Sequence, residues 1–148
     1  MNLLKIEKVK YQDEITSIKE IRSRVFQEEQ GVSAELEFDG LDADAVHFLA
    51  YLDDRPVGTA RVRQIDRQTA KIERLAVSIE ARNQGVGKQL MYAALTEISQ
   101  QNKIKAIVHA QEYIASLYQQ LGFEIIGEKF SEAGIPHVKM IKQLNIEH

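Results

Sequence analysis

Cysteine is absent from this sequence of 148 residues, and so is any long apolar run. Without cysteine the protein forms no disulfide bond, no thiolate metal site and no acyl-cysteine intermediate, and a cytoplasmic location is mildly favoured. The apolar segments are too short to cross a membrane, and residues 1–10 alternate apolar with charged side chains, unlike an export signal. We therefore expect a cytoplasmic protein with no membrane contact and no metal ion.

An excess of positive charge is missing as well. The sequence has 19 lysines and arginines against 22 aspartates and glutamates, a formal net charge of −3. Nucleic-acid binding draws much of its affinity from basic surfaces, so we expect no nucleic-acid partner. No segment has the composition of a linker, and 44% hydrophobic residues suit one core in a chain of this length. Residues 1–148 are therefore predicted to form a single domain.

The hydrophobic periodicity alternates between that of strands and that of helices. It predicts strands over residues 3–9, 46–52, 57–63, 71–77, 105–110, 123–127 and 137–144, and helices over residues 15–25, 85–101 and 113–121. The polar segment 53–56 predicts a tight turn between the second and third strands. This order of elements indicates an α/β fold with helices on a mixed sheet.

A loop from Arg82 to Lys88 separates the strand 71–77 from the clearest helix. Gly85 and Gly87 in this loop allow the backbone to approach a bulky anion. A helix start offers about half a positive charge and up to four unpaired amides, and Arg82 and Lys88 add charge. The loop is therefore a candidate pyrophosphate site.

Two known phosphate-binding motifs do not fit this loop. A mononucleotide P-loop needs glycine at position 82 and a hydroxyl residue at position 89, where the sequence has Arg82 and Gln89. A dinucleotide fingerprint needs a third glycine where Leu90 stands. The alternative that Gly85 and Gly87 merely allow a tight turn stays open on these residues alone.

The pattern Arg82-x-x-Gly85-x-Gly87 after the strand 71–77 resembles the coenzyme A signature of the GNAT superfamily of N-acetyltransferases. The resemblance implies acetyl-CoA as cosubstrate and a mixed, mostly antiparallel sheet of six to seven strands with about four helices. It also implies that strand 71–77 splays from its neighbour, so that its backbone binds pantetheine and polarises the thioester. The cofactor-binding residues implied in this way are Leu75, Ala76, Val77, Arg82, Asn83, Gln84, Gly85, Val86, Gly87 and Lys88.

A second segment, residues 115–123, is similar to the family's helix that ends in a glycine–aromatic turn, and Tyr118 occupies the general-acid position. A thiolate with a pKa near 8.5 beside a phenol near 10 makes full proton transfer uphill by roughly 2 kcal/mol, so a hydrogen bond suffices until the thiolate leaves. The alternative is a core aromatic residue. Tyr113, one turn earlier, is predicted to pack or at most to line the pantetheine channel.

An amine acceptor also needs a base, because an amine with a pKa of about 10.4 is almost fully protonated at pH 7. Glu73 is the candidate, since strand alternation places it on one face with Leu75 and Val77. The alternative is a salt bridge to a nearby arginine, namely Arg61, Arg63 or Arg74. His47, His109 and His137 are further candidates by pKa and stay unassigned.

The segment from residue 27 to residue 44 is acidic and contains no lysine or arginine. Its seven carboxylates predict either a negative mouth for cationic amines or a solvated loop. They are Glu28, Glu29, Glu35, Glu37, Asp39, Asp42 and Asp44. Residues 25–32, 37–39 and 47–50 resemble a small bacterial ElaA-like branch of the family, which does not identify the acceptor.

The predicted function is therefore transfer of an acetyl group from acetyl-CoA to a primary amine of a small molecule or peptide, by direct attack in a ternary complex. The alternative is a protein that senses acyl-CoA or scaffolds a partner without catalysis, because the loop explains binding and only Tyr118 argues for chemistry. A weaker alternative is mononucleotide binding. A homodimer is also considered.

Overall fold

A seven-stranded sheet with helices on both faces forms the protein, as described by a computed structural model over residues 3–144. The strands are β1 Leu4–Val9, β2 Val46–Leu52, β3 Arg55–Gln64, β4 Thr69–Val77, β5 Lys105–Gln111, β6 Glu124–Glu132 and β7 Ile135–Gln143. The α-helices are α1 Tyr11–Arg22, α2 Ala34–Glu37, α3 Val86–Gln100 and α4 Ala115–Gln120, and α1 continues as a π-helical segment Ser23–Glu29. The predicted fold class is confirmed, whereas the outer ends of the predicted domain, residues 1–2 and 145–148, lie outside the described residues.

The strand order is β1-β2-β3-β4-β5-β7-β6, and every neighbouring pair is antiparallel except β4 and β5. That parallel pair requires a crossover, which α3 provides. The antiparallel β2–β3 hairpin turns at Asp53 and Asp54, whose φ values of 51° and 68° match the tight turn expected there. The single parallel junction lies in the middle of the sheet.

Helices α3 and α4 pack on one face of the sheet and α1 packs on the other. On the α3 face, Leu90, Ala94 and Ile98 follow the helical period and are fully buried. On the opposite face, Ile18 and Ile21 of α1 lie in a smaller apolar cluster. Over residues 3–144, no helix has the length and apolar character needed to span a membrane.

A β-bulge interrupts β4 at Arg74, whose φ is 55°. The register with β3 shifts there, so that Arg74 and Leu75 lie opposite the single residue Ala60. The extra residue reverses the alternation of side chains: Leu75 packs with the α3 core, whereas Glu73 pairs with Arg61 on the other face. The prediction that Glu73 shares a face with Leu75 and Val77 is therefore wrong.

The β6–β7 hairpin is longer than the sequence predicts. β6 extends to Glu132 and β7 begins at Ile135, with a turn at Ala133 and Gly134, whose φ values are 52° and 76°. Alanine rarely adopts a positive φ, so this turn carried only a weak sequence signal. Although β6 is an edge strand, the longer hairpin lets the Glu132 carboxylate reach His109 on β5.

Candidate active site

The parallel strands β4 and β5 separate soon after they begin to pair. Their paired residues are Thr69 to Lys71 on β4 and Lys105 to Ile107 on β5. Beyond this point β5 continues to pair with β7 as far as Gln111. Within the described residues, the β5-facing backbone of β4 is thus unpaired with β5 over residues 72–77, which is the splay that the resemblance implied.

The N-terminus of α3 lies at the far end of this opening. Asn83 and Gly85 have φ values of 63° and 79°, and Gly85 is the N-cap of α3. The first helical bond joins the Gln89 amide to the Gly85 carbonyl at 3.0 Å. The preceding amides of the first turn have no partner within the helix, so they form a candidate anion site.

The backbone conformation favours glycine at position 85 but not at position 87. Gly85 has the positive φ that favours glycine. Gly87 lies inside the first turn of α3, where a Cβ atom would meet only the Val77 Cγ2 atom, at an ordinary 3.7 Å. The tight-turn interpretation therefore accounts for Gly85, whereas neither the turn nor the packing requires glycine at position 87.

The two basic residues of the loop are placed differently. The Arg82 Nε donates to the Val77 carbonyl at 3.0 Å, and its Nη2 donates to both oxygens of Glu29 at 2.8 and 2.6 Å. Lys88 is exposed, and its ammonium lies 6.0 Å from the centre of the Tyr92 ring. Lys88 therefore offers the more accessible charge, whereas Arg82 holds the loop to the π-helical segment.

Tyr118 is buried on α4, and its ring meets Phe123 edge-on with centroids 5.9 Å apart. Burial, with a smaller contribution from Tyr113, raises the pKa of the Tyr118 phenol above its ordinary value. The hydroxyl therefore stays protonated at neutral pH, as a proton donor must. Tyr113 itself is 77% exposed, so its predicted packing role is wrong.

Glu73 is buried among positive charges. Its carboxylate accepts hydrogen bonds from the Arg61 Nη2 and, at 2.8 Å, from the Arg63 Nε. Burial alone would raise the pKa of Glu73, but these guanidinium groups and the Lys71 ammonium lower it below its ordinary value. The contacts correspond to the salt-bridge alternative, with Arg61 and Arg63 as partners, and they make the carboxylate a weak base.

Three carboxylates of the acidic segment pair with arginines from other parts of the chain. The Arg22 Nε donates to Glu37 at 2.5 Å, and the Arg61 Nη1 donates to Asp39 at 2.9 Å and to Asp42 at 3.0 Å. Arg74 also reaches Asp39, at 3.1 Å. Both sequence interpretations are therefore wrong for Glu37 and Asp42, which are buried and paired with arginines, whereas Asp39 is paired with arginines but exposed. The counter-charges come from α1, β3 and β4, which are distant in sequence.

The three candidate histidines have different surroundings. His47 is buried, its Nε2 lies 2.8 Å from the Asp42 carbonyl, and burial lowers its pKa. His109 and His137 lie on β5 and β7, on either side of the Glu132 carboxylate. Sequence analysis missed Glu132, because only the β6–β7 hairpin brings it to these histidines. No cluster of histidine and carboxylate side chains within residues 3–144 could hold a metal ion.

Comparison with known proteins gives consistent matches over nearly the whole chain. A Bacillus subtilis protein named "Putative acetyltransferase" is 40% identical over 144 residues, which cover 95% of this chain and 97% of that protein. Escherichia coli ElaA is 30% identical over 135 residues, 88% of each chain. The crystal structure of ElaA superposes with a TM-score of 0.85 and 26% identity, over 95% of this chain and all of ElaA.

A GNAT family acetyltransferase from Elizabethkingia anophelis, solved with acetyl-CoA bound, shares the fold with a TM-score of 0.77. Its identity is 20%, over 95% of this chain and 98% of its own. The family model described as "Acetyltransferase (GNAT) domain" matches residues 8–144. With the splayed strands and the amide-rich helix start, this match shows that the chain belongs to the GNAT acetyltransferase family.

Proposed function

We propose that the protein transfers an acetyl group from acetyl-CoA to a primary amine of a small molecule or peptide. The observation that carries this proposal is the opening between β4 and β5, which has the α3 N-terminus at one end and the Tyr118 helix packed on β5. Membership of an acetyltransferase family supports acyl transfer, and the Elizabethkingia relative in fold binds acetyl-CoA. The nature of the amine is our own inference.

The cofactor would lie along the unpaired side of β4. Pantetheine would pair with the backbone of residues 75–77, and the pyrophosphate would meet the amides of residues 83–88. Lys88 would supply the nearest free charge. A pyrophosphate carries its own negative charge, so a helix start and one lysine suit it even in an acidic protein.

The reaction would proceed by direct attack, because the protein has no cysteine to carry the acyl group. The amine nitrogen forms a bond to the thioester carbon, the carbon–sulfur bond breaks, and the departing thiolate takes a proton from the Tyr118 hydroxyl. The proton of the amine must pass to a base. Glu73 stays a candidate for that role, although its bonds to Arg61 and Arg63 support a structural role instead.

We propose that residues 1–148 form one N-acetyltransferase domain, which the family match over residues 8–144 supports. A cytoplasmic location and a homodimer are predictions from the sequence alone. So is the expectation that the protein binds neither nucleic acid, nor a membrane, nor a metal.

Thiol release from acetyl-CoA tests the function directly. The purified chain is incubated with acetyl-CoA and a panel of polyamines, amino sugars, arylalkylamines and lysine peptides, and acetylated products are identified by mass spectrometry. We expect turnover above background for at least one primary amine. Calorimetry separates the alternatives: tight acetyl-CoA binding without turnover favours the sensor or scaffold, and displacement of coenzyme A by ATP favours a mononucleotide-binding protein.

A further inference from the structure

A single carboxylate bridges two histidines beside the opening between β4 and β5. The Glu132 Oε1 lies 3.1 Å from the His109 Nδ1, and its Oε2 lies 3.6 Å from the His137 Nε2. The Phe130 ring meets His109 edge-on at 5.1 Å and stacks on His137 at 5.9 Å between centroids. Three adjacent strands thus hold the two imidazoles and the carboxylate in place.

His109 follows the point at which the strands separate. It is two residues beyond Ile107, the last β5 residue paired with β4, which is about 7 Å along the strand. Its neighbours Val108 and Ala110 face the α3 core, so His109 faces the opposite side of the sheet. Its side chain is 26% exposed. A molecule that approaches the opening from the α1 side therefore meets His109.

We propose that His109 is the general base that accepts the proton of the acceptor amine, directly or through one water molecule, and that Glu132 is its positioning residue. This inference rests on the proposed function. When the amine attacks the thioester carbon, its proton moves to the His109 Nε2, and the imidazolium returns it to solvent after the product leaves.

The bond to Glu132 selects the tautomer that this role needs. A carboxylate accepts the proton of the His109 Nδ1, which leaves the lone pair on Nε2. The hydrogen bond from His109 lowers the pKa of the Glu132 carboxyl against the opposing effect of burial, so the carboxylate stays ionised at neutral pH. The same carboxylate stabilises the imidazolium that forms during the reaction.

The charged groups that surround His109 come from three strands. Glu132 lies on β6, His137 and Lys139 lie on β7, and Lys71 lies on β4 close enough to affect Glu132. Glu132 is the carboxylate that faces His109. The Glu73 carboxylate already accepts two hydrogen bonds from arginines. His109 pairs with Glu132 through Nδ1, which leaves its Nε2 to accept a proton. Of the two groups, His109 is better placed to receive a proton.

The test compares the pH dependence of kcat for His109→Gln, Glu132→Gln and a matched control, Glu128→Gln, which lies on β6 with Glu132. In the wild type we expect kcat to rise over the range in which an imidazole loses its proton. His109→Gln should lower kcat by about 100-fold or more and abolish this rise, with the Kd for acetyl-CoA within twofold. Glu132→Gln should lower kcat by a smaller factor than His109→Gln and leave the Kd for acetyl-CoA within twofold, because the imidazole loses the carboxylate that orients it. Glu128→Gln should leave the profile unchanged.

The outcomes separate this inference from the function on which it rests. If the wild type acetylates an amine and His109→Gln keeps both its kcat and its pH profile, the base is another group. If the wild type is inert with every amine, the proposed function and the base fall together. Nitrogen NMR of the wild-type imidazole provides a measurement that needs no variant: a proton on the Nε2 of neutral His109, instead of on Nδ1, overturns the proposal.

Discussion

The Nη2 of Arg82 donates to both carboxylate oxygens of Glu29, at 2.8 and 2.6 Å. Arg82 lies in the loop that precedes α3, and Glu29 ends the π-helical segment on the other face of the sheet. A second contact, from the Gln111 amide to the Gln30 side chain at 2.9 Å, ties the same segment to the end of β5. The segment thus joins the two strands that border the opening.

The Arg82–Glu29 pair predicts that Glu29 weakens cofactor binding. The Glu29→Gln variant should bind coenzyme A several-fold more tightly, because a carboxylate no longer competes with the pyrophosphate for the guanidinium. Calorimetry at low and at physiological salt measures the Kd, and the gain should shrink as salt screens the charges. The neighbouring Glu28→Gln makes the same change in net charge and should have a smaller effect. An equal gain in both variants would show that only net charge matters.

Replacement of Gly87 should change the stability of the protein and its affinity for coenzyme A in opposite directions. Gly87→Ala should raise the free energy of unfolding by roughly 0.5–1 kcal/mol, because alanine is the better helix former and its Cβ meets only an ordinary contact. The added methyl group would obstruct the pyrophosphate, so the Kd for coenzyme A should rise at least tenfold. Urea denaturation and calorimetry measure the two effects. Unchanged binding would show that Gly87 does not border the anion.

Removal of the Tyr118 hydroxyl should lower kcat without weakening the binding of acetyl-CoA. Tyr118→Phe should lower kcat by about 100-fold, since general acid catalysis contributes roughly that much or more, and should leave the Kd for acetyl-CoA unchanged. Thiol release and calorimetry measure these quantities. Tyr113→Phe is the matched control, because Tyr113 is exposed and should have no effect on kcat. A Tyr118→Phe variant with full activity would assign the residue to the core alone.

Arg61 predicts a large loss of stability. It is fully buried and binds Asp39, Asp42 and Glu73, so Arg61→Met would leave three carboxylates without their shared partner. We expect the free energy of unfolding to fall by about 3–5 kcal/mol, the usual cost of breaking a buried ion pair. The exposed Arg24, paired with Glu20 at 2.8 Å, should cost about 0.5 kcal/mol or less on replacement by methionine. Similar losses in the two variants would contradict the prediction.

The same network predicts acid sensitivity. The Arg61 hydrogen bond lowers the pKa of Asp39, and the Arg22 and Arg61 hydrogen bonds outweigh the effect of burial and lower that of Asp42. Carboxylates with a lowered folded pKa contribute stability that is present above their unfolded pKa of about 4 and is lost as the pH falls through the folded value. The urea midpoint should therefore decrease steeply below about pH 4. Asp42→Asn should flatten the decrease, whereas Glu35→Gln, at an exposed position, should not.

Local patterns in the sequence predicted the seven strands, three of the four α-helices of the described residues and the candidate cofactor loop, but not the short helix α2 at Ala34–Glu37. The period of Leu90, Ala94 and Ile98 identified α3, and the residues around Gly85 identified its N-terminus, because helix starts depend on neighbours within a few positions. The β6–β7 turn at Ala133 was missed, because its positive φ is stabilised by strand pairing and not by the residue itself.

The sequence by itself determined the family-specific loop, the candidate acid Tyr118 and the order of the strands and of helices α1, α3 and α4, since each depends on contiguous residues. Only the tertiary structure decided the environment of the charged groups. One extra residue at Arg74 reversed the face of Glu73, and arginines from distant elements paired with Glu37, Asp39 and Asp42. The pairing of β5 with β7, and of β7 with β6, then brought His109 to Glu132. These side-chain contacts join residues 12 to 37 positions apart, where the period of a single element carries no information.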